Sequence, residues 1–402
     1  MLEDVHPSAR ATLEQAGAQV TSAPGSMPAD ELKNALSGVH LLGIRSGTNL
    51  DAGLLESASE LIAIGCFCIG TNQVDLDRAC GLGIPVFNAP FANSRSVAEL
   101  TMCEIVALLR GLLPKSMAMH AGVWDKSADG SREVRGKTLG IVGYGHVGSQ
   151  VSVLAEALSM RVIFHDIVPR LPLGNSRACR SLDELLRESD VVTLHVPATP
   201  ATRGLIDEAR LSMMRRGAML INNARGSIVD LEALAEAVRD GRIAGAALDV
   251  FPQEPGSSGQ PFESQVRGLP NVILTPHIGG STLEAQESIA KEVAGKLASF
   301  VLHGSTTGSV NVPEVELPGR PHDRGADEPS HHRLLHFHRN VPGVLSKLHA
   351  IVAEVGANIS GEYLRTNNEI GYVVLDTDPS AGAALAERIA TIEETIRVRV
   401  IA

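Results

Sequence analysis

Three short segments of this 402-residue chain carry polar residues that together could oxidise an alcohol: Asn223-Ala224-Arg225-Gly226, Asp249-Val250-Phe251-Pro252-Gln253-Glu254-Pro255 and Thr275-Pro276-His277-Ile278-Gly279-Gly280. Taking a hydride from the carbon of a 2-hydroxy acid needs a base for the hydroxyl proton and a cation for the carboxylate. His277 suits the first role, because an imidazole titrates near neutral pH. Arg225 suits the second, because a guanidinium grips a carboxylate with two parallel hydrogen bonds. Glu254 would hold the imidazole in one orientation and stabilise its protonated form. Singly, each has a plain structural explanation as a loop histidine, a solvated arginine or a turn glutamate. Their order behind a nucleotide-type turn is what gives them weight.

Each segment ends an apolar stretch that reads as a strand, so a doubly wound sheet would gather them at its carboxyl edge, where ligands bind. The pattern is sharpest from Lys137: strands at 138–142, 161–165, 191–195 and 219–222, with a helix to Leu158. Gly143-Tyr144-Gly145-His146-Val147-Gly148 fits GxGxxG after the first of these strands, and Asp166 ends the next. The first glycine makes the turn, the second admits a pyrophosphate and the third lets helix pack on strand, with the helix N-terminus facing the phosphates. Asp166 would bind an adenosine ribose and repel a 2′-phosphate, which points to NAD over NADP.

The opening segment alternates in the same way: helix from Ala11 to Gly17, strand 39–44, helix 54–57, strand 61–64 and a short strand 84–88. Ser96-Val97-Ala98-Glu99 offers a capping box for a helix reaching Leu109. A long helical stretch, 282–302, would cross back to the first domain. The expected division is a substrate-binding domain of 1–93 and 281–313, a nucleotide-binding domain of 94–280, an exposed linker of 314–330 rich in Pro, Gly and charge, and a terminal domain of 331–402. That last region reads βαββαβ, the ferredoxin-like order. The fold class is therefore α/β, two Rossmann-like domains followed by a small ferredoxin-like one.

Composition narrows the function. No run approaches the ~18 apolar residues of a membrane span, and the N-terminus lacks a basic region followed by an apolar run. A soluble, cytoplasmic protein is expected. A formal charge of −11 disfavours nucleic acid and anionic membranes as partners. The five cysteines form no CxxC pair, and Cys66 and Cys68, two apart in an apolar run, read as buried inert thiols. His331, His332, His336 and His338 cluster, but without a cysteine or acidic partner no metal is expected.

With these residues in view, the chain resembles the D-isomer-specific 2-hydroxyacid dehydrogenases, and within them the phosphoglycerate-oxidising branch that carries a C-terminal ACT domain. Residues 64–75 (IGCFCIGTNQVD), 87–91 (FNAPF), 143–148, Leu194-His195-Val196-Pro197 and 275–281 carry the likeness, which spans nearly the whole chain. The resemblance implies that Arg225, Glu254 and His277 are catalytic. It places His195, Val196, Pro197, Ala224, Asp249, Gly279 and Gly280 around the cofactor with the glycine turn and Asp166. It places Arg45, Ser46, Ile69, Gly70 and Asn93 on a small anionic 2-hydroxy acid, with Trp124 and Lys126 reaching across a dimer interface of a homotetramer. In the terminal domain it places L-serine, as a feedback effector, on His338, Asn340 and Asn358.

The chain departs from the pattern twice. Gly47 stands where a second arginine is usual and Pro24 near where a lysine is usual, which weakens the expected phosphate site. The chain also begins past the family's first strand, so the expectation is either a shortened start or a sheet without that strand. Two alternatives follow: a dehydrogenase of another 2-hydroxy acid such as 2-hydroxyglutarate, and an NAD-sensing binding protein like the C-terminal-binding corepressors.

Overall fold

Alternation of apolar strands with amphipathic helices produces three sheets in the computed structural model, which describes residues 1–255, 259–317, 332–378 and 382–401. The chain divides into two compact units, 1–92 with 286–402 and 93–285.

In the first unit, β1 (Leu41–Ile44), β2 (Ala63–Cys66) and β3 (Val86–Phe87) form a parallel sheet in that order. The N–H of Leu2 donates to Gly43 O at 2.9 Å, so the first residues run beside β1. The first helix is Pro7–Gln15, four residues ahead of the expected start. Pro7 supplies its first turn and the His6 side chain caps the Ser8 N–H, which explains the shift. Cys66 is buried at the end of β2 and Cys68 is half-buried beyond it. Burial pushes both thiols upward, as inert core cysteines require.

The second unit holds a seven-stranded parallel sheet. Its strands are β4 (Thr138–Val142), β5 (Arg161–His165), β6 (Arg177–Ala178), β7 (Val191–Leu194), β8 (Ala218–Asn222), β9 (Ile243–Leu248) and β10 (Val272–Leu274), in the order β10-β9-β8-β7-β4-β5-β6. Strand order reverses at β4, which has β5 on one side and β7 on the other. The register aligns the carboxyl ends: Val142 pairs Leu194, Leu194 pairs Asn222, Asn222 pairs Leu248 and Leu248 pairs Leu274. Whatever follows those residues must emerge along one edge. The Ser94–Arg110 helix covers one face, setting Ala98, Met102, Ile105 and Leu108 into the core with Ile141 and Ile221. It begins at Ser94, so the expected capping box lies inside it. There Ser96 shares a hydrogen bond with Thr282, and Glu99 pairs with Arg95.

The first unit also contains a four-stranded antiparallel sheet: β11 (His332–Arg339), β12 (Ile359–Thr366), β13 (Ile370–Thr377) and β14 (Thr395–Ile401), ordered β12-β13-β11-β14. Helices Val344–Val355 and Gly382–Ile389 pack on it through Leu348, Val352, Leu385 and Ile389. This is the βαββαβ order expected. Leu335, Phe337 and Tyr372 join a single core with Phe87 and with Val293, Leu297 and Phe300 of the Leu283–His303 helix. Arg333 donates to Asp376 through two nitrogens at 2.6 and 2.7 Å and to His303 O at 3.0 Å; the Tyr372 hydroxyl donates to Gly304 O. Where an exposed linker was expected to start, Val315 is buried and its N–H donates to Thr306 Oγ1, so the chain is still packed there. The rest of that linker, from 318, and His331 lie outside the described residues. No helix among the described residues is long and apolar enough to cross a membrane.

Candidate active site

The glycine turn follows β4 and opens the His146–Ala157 helix. Gly143 has a positive φ of 90°, and a Cβ there would overlap the His195 carbonyl; one on Gly148 would overlap the Gly143 carbonyl. Gly145 differs. A Cβ there meets nothing within 4 Å, and the helix it caps has no side-chain cap. Two glycines therefore close the turn on itself and the middle one leaves a cradle at a helix N-terminus, the arrangement a pyrophosphate needs.

Asp166 Oδ2 accepts from the Tyr144 N–H at 2.8 Å and Oδ1 from Val168 N–H at 2.9 Å, which ties the acidic residue to the turn. Tyr144, expected at the cofactor, sends its side chain the other way. The ring stacks on Phe164 at 3.8 Å and the hydroxyl bonds Ser152, so only its backbone belongs to the turn. His195 closes against Gly143 through its backbone, while its ring bonds Thr193 at 3.0 Å; burial lowers its pKa to about 4, keeping it neutral. Val196 is half-buried, and Pro197 and His146 are exposed on the same edge.

Further along that edge, His277 Nδ1 lies 2.8 Å from Glu254 Oε2, with 52% and 36% of the two side chains exposed. A carboxylate only accepts, so Nδ1 carries the hydrogen and Nε2 is left as the basic nitrogen. Glu254 Oε1 is held by the Phe251 N–H at 3.0 Å. His277 sits at φ 55°, a left-handed conformation that costs a β-carbon residue energy and here turns the ring out of the loop. Asp249 supplies the support. It is 1% exposed, and its carboxylate accepts from Thr275 Oγ1, Ile278 N–H and Gly279 N–H at 2.6, 2.8 and 2.7 Å. Gly280 packs so closely on Asn93 that any Cβ would overlap its side-chain amide.

Arg225 emerges after β8 from a turn closed by Asn222, whose Nδ2 donates to Arg225 O and whose Oδ1 accepts from Ala224 N–H. Its guanidinium is exposed and bonds only Ala224 O, with no carboxylate partner among the described residues. Gly226 packs against the Phe251 backbone and leaves no room for a Cβ, so the Arg225 and Glu254 segments lie against each other.

The remaining expected residues divide between the units. Arg45, Ser46, Ile69 and Gly70 belong to the first. Asn88 and Gln73 occupy the Ile69 and Gly70 carbonyls at 2.6 and 3.3 Å, leaving their N–H groups as the donors without a partner among the described residues. Glu3 accepts from the N–H groups of Arg45, Gly47 and Thr48, a brace the sequence reading did not contain. Trp124 and Lys126 are exposed in the second unit. In the terminal sheet, Asn340 and Asn358 are exposed but the His338 imidazole is buried, its Nδ1 on Arg339 O.

Sequence reading missed a buried group behind Arg225. Glu104 is 3% exposed and accepts from Asn223 Nδ2 at 2.7 Å; Asn223 also donates to Thr101. A charged residue in the otherwise apolar stripe Val97, Ala98, Thr101, Met102, Ile105, Leu108 was the signal available.

Residues 102–279 match the D-isomer specific 2-hydroxyacid dehydrogenase NAD binding domain, and 334–397 match the AHAS small subunit-like ACT domain. The D-3-phosphoglycerate dehydrogenase of Haemophilus influenzae is 52% identical over 402 residues, spanning all of this chain and 96% of the relative. The Escherichia coli K12 protein of the same name is 47% identical over 407 residues, with the same coverage. Among solved structures, a Thermus thermophilus protein aligns with TM-score 0.68 at 34% identity, over 77% of this chain and all of that one. The D-lactate dehydrogenase of Aquifex aeolicus complexed with NAD and lactic acid aligns with TM-score 0.64 at 31% identity, over 75% of this chain and 94% of that one. The chain belongs to the D-isomer specific 2-hydroxyacid dehydrogenase family, as an NAD-dependent oxidoreductase with a C-terminal ACT domain.

Proposed function

We propose that the chain oxidises 3-phospho-D-glycerate to 3-phosphohydroxypyruvate with NAD, the first step of L-serine biosynthesis, as a cytoplasmic homotetramer inhibited by serine. The observation that carries the chemistry is the 2.8 Å contact between His277 and Glu254 on the edge that also presents Arg225. The substrate rests on the full-length relatives named for it.

Arg225 binds the substrate carboxylate through its exposed guanidinium and orients the C2 hydroxyl toward His277. Nε2 of His277 takes the hydroxyl proton. Glu254 stabilises the imidazolium that results and holds it in place. Ile69 and Gly70 add backbone donors to the carboxylate, while Arg45, Ser46 and Asn93 hold the rest of the molecule. Bound NAD would supply the hydride acceptor for C2. Gly143 to Gly148 would hold its pyrophosphate, Asp166 its ribose, and His195, Val196, Pro197, Ala224, Asp249, Gly279 and Gly280 the remainder. In domain terms, 1–93 with 281–313 serves the substrate, 94–280 the cofactor and 331–402 the effector.

Oligomerisation is supported by the Leu112–His120 helix, which buries none of its residues, and by the adjoining Trp124, 77% exposed. Apolar surface of this kind is covered in a soluble assembly. Serine would bind at Asn340, Asn358 and His338 where terminal sheets pair. Gly47 and Pro24 favour a second reading, a dicarboxylate such as 2-hydroxyglutarate, because the loop near Arg45 already holds the Glu3 carboxylate.

NADH absorbance with 3-phosphoglycerate, 3-phosphohydroxypyruvate and 2-oxoglutarate, assayed separately, decides between these. Turnover confined to the phosphorylated pair supports the proposal, turnover of 2-oxoglutarate alone supports the second reading, and NAD binding without turnover supports a corepressor-like role. Serine titration and solution mass test the regulatory and assembly claims.

A further inference from the structure

The carboxyl of Glu104 and the amide of Asn223 each leave one oxygen unpartnered. Asn223 Nδ2 donates to Glu104 Oε2 at 2.7 Å and to Thr101 Oγ1 at 3.1 Å, while the Thr101 hydroxyl spends its own hydrogen on Val97 O at 2.8 Å. Both amide hydrogens are thereby used. Glu104 Oε1 and Asn223 Oδ1 remain, both buried and both without a partner among the described residues. Two acceptors cannot satisfy each other. One hydrogen placed on Oε1 changes that, since the carboxyl then donates and Oδ1 is the acceptor in want of a donor. Turning the amide over does not remove the need, because Oδ1 would then oppose Oε2 and again require a proton on the acid.

The surroundings favour the neutral form on separate grounds. An ionised carboxylate with 3% exposure needs a cation or several donors, and Glu104 has one amide. Strands β8, β9 and β10 (AMLIN, IAGAAL, VIL) bring no titratable side chain to it. On its own helix Arg95 and Glu99 pair with each other and Arg110 is exposed, and Lys115 of the next helix pairs with Asp125. The His146–Ala157 helix carries His146 at its start and Glu156 near its end. The charged group that acts on Glu104 is Asp249, and it is negative. Burial first, with Asp249 adding, raises the Glu104 carboxyl to about 7 against the opposing Asn223 hydrogen bond.

Asn223 is the residue between Asn222, which closes the turn, and Ala224-Arg225, which projects from it. We propose that Glu104 is a positioning residue: it carries a proton below neutral pH and, as a paired acid and amide with Asn223, locks the turn that presents Arg225. This rests on Arg225 gripping the substrate carboxylate. A carboxylic acid here is neutral and rigid while protonated, and loses its hold when it ionises.

The test reads the proton and its consequence separately, on the full-length protein. In the infrared difference between the wild type and Glu104→Gln, a protonated-carboxyl stretch that shifts in D2O is expected at pH 6 and should fade as pH rises through about 7. An ionised-carboxylate signal at pH 6 with no protonated band overturns the proposal. In steady state, Glu104→Gln copies the protonated acid, so its substrate KM should stay within about twofold of wild type, whereas Glu104→Ala should raise KM roughly tenfold with a smaller change in kcat. The wild-type KM should climb above neutral pH and that of Glu104→Gln should not. Equal KM values for the Gln and Ala variants, or a Gln variant that keeps the alkaline rise, contradict the proposal. Should the Ala variant fail to fold, the infrared band and the Gln pH profile decide alone. Because the band needs no turnover, its absence counts against Glu104, while full activity in Arg225→Gln counts against the role given to Arg225.

Discussion

The edge of the seven-stranded sheet and the C-terminal four-stranded sheet use the same two residue types in opposite environments. Arg225 is exposed and, among the described residues, bonds only a neighbouring carbonyl; Arg333 is 2% exposed and clasped by both oxygens of Asp376. His277 is half exposed and backed by a carboxylate, whereas His336 is fully buried against Thr395, and burial, with His338 beside it, lowers its pKa to about 3. The lesson is that residue type does not assign the role. A guanidinium or imidazole that keeps a solvent-reachable nitrogen is available for a ligand; one sealed from solvent and bonded within the protein holds the fold.

That contrast can be broken from either side. Asp376→Ala leaves the Arg333 guanidinium buried without its partner, and loss of about 3 kcal/mol of stability is expected by chemical denaturation, toward the low end for a buried pair because Asp376 is partly exposed. A shift no larger than that of a surface ion pair would mean that Arg333 is not a structural group. Arg225→Gln should do the reverse. Its melting temperature stays at the wild-type value while kcat/KM falls about a hundredfold, the loss of charge-assisted hydrogen bonds to the substrate; a stability loss instead would erase the distinction. The smallest effect concerns His336. Its pKa is lower folded than unfolded, so the unfolded chain binds the extra proton, and the stability present above about pH 6.5 is lost as pH falls toward 3. Between pH 6.5 and 5.5 this amounts to at most about 1.4 kcal/mol. His336→Gln should flatten the acid limb of the stability profile, and an unchanged limb would show that another group titrates there.

Much of this is legible in the sequence. The positions of the glycine turn, of Asp166 and of the three candidate segments at strand ends were legible because each combines a fixed spacing with an apolar run, and a parallel sheet leaves little freedom in where strand ends lie. Tyr144 shows how far such a motif reaches: it specifies the backbone, and nothing in the spacing says that the ring stacks on Phe164. Helix starts failed where local chemistry competed. Ser96 and Glu99 have the spacing of a capping box, yet their side chains bond Thr282 and Arg95, the first of which is 186 residues distant. Glu3 and Glu104 escaped because their partners are 42 to 45 and 119 residues away, and no periodicity records such pairings. Glu104 left a trace as an acid in an apolar stripe. Glu3 left none.

The central claim is that His277, with Glu254 behind it, takes the proton as the hydride leaves. It is tested most directly by kcat/KM against pH for oxidation of the 2-hydroxy acid, comparing the wild type with His277→Asn. The account predicts an acid limb on which the wild-type value rises with pH, below the alkaline fall expected from Glu104, and in the variant a loss of about 10²–10⁴-fold with that acid limb abolished. A variant that folds, binds NAD and keeps both its turnover and its pH-dependent rise would contradict it.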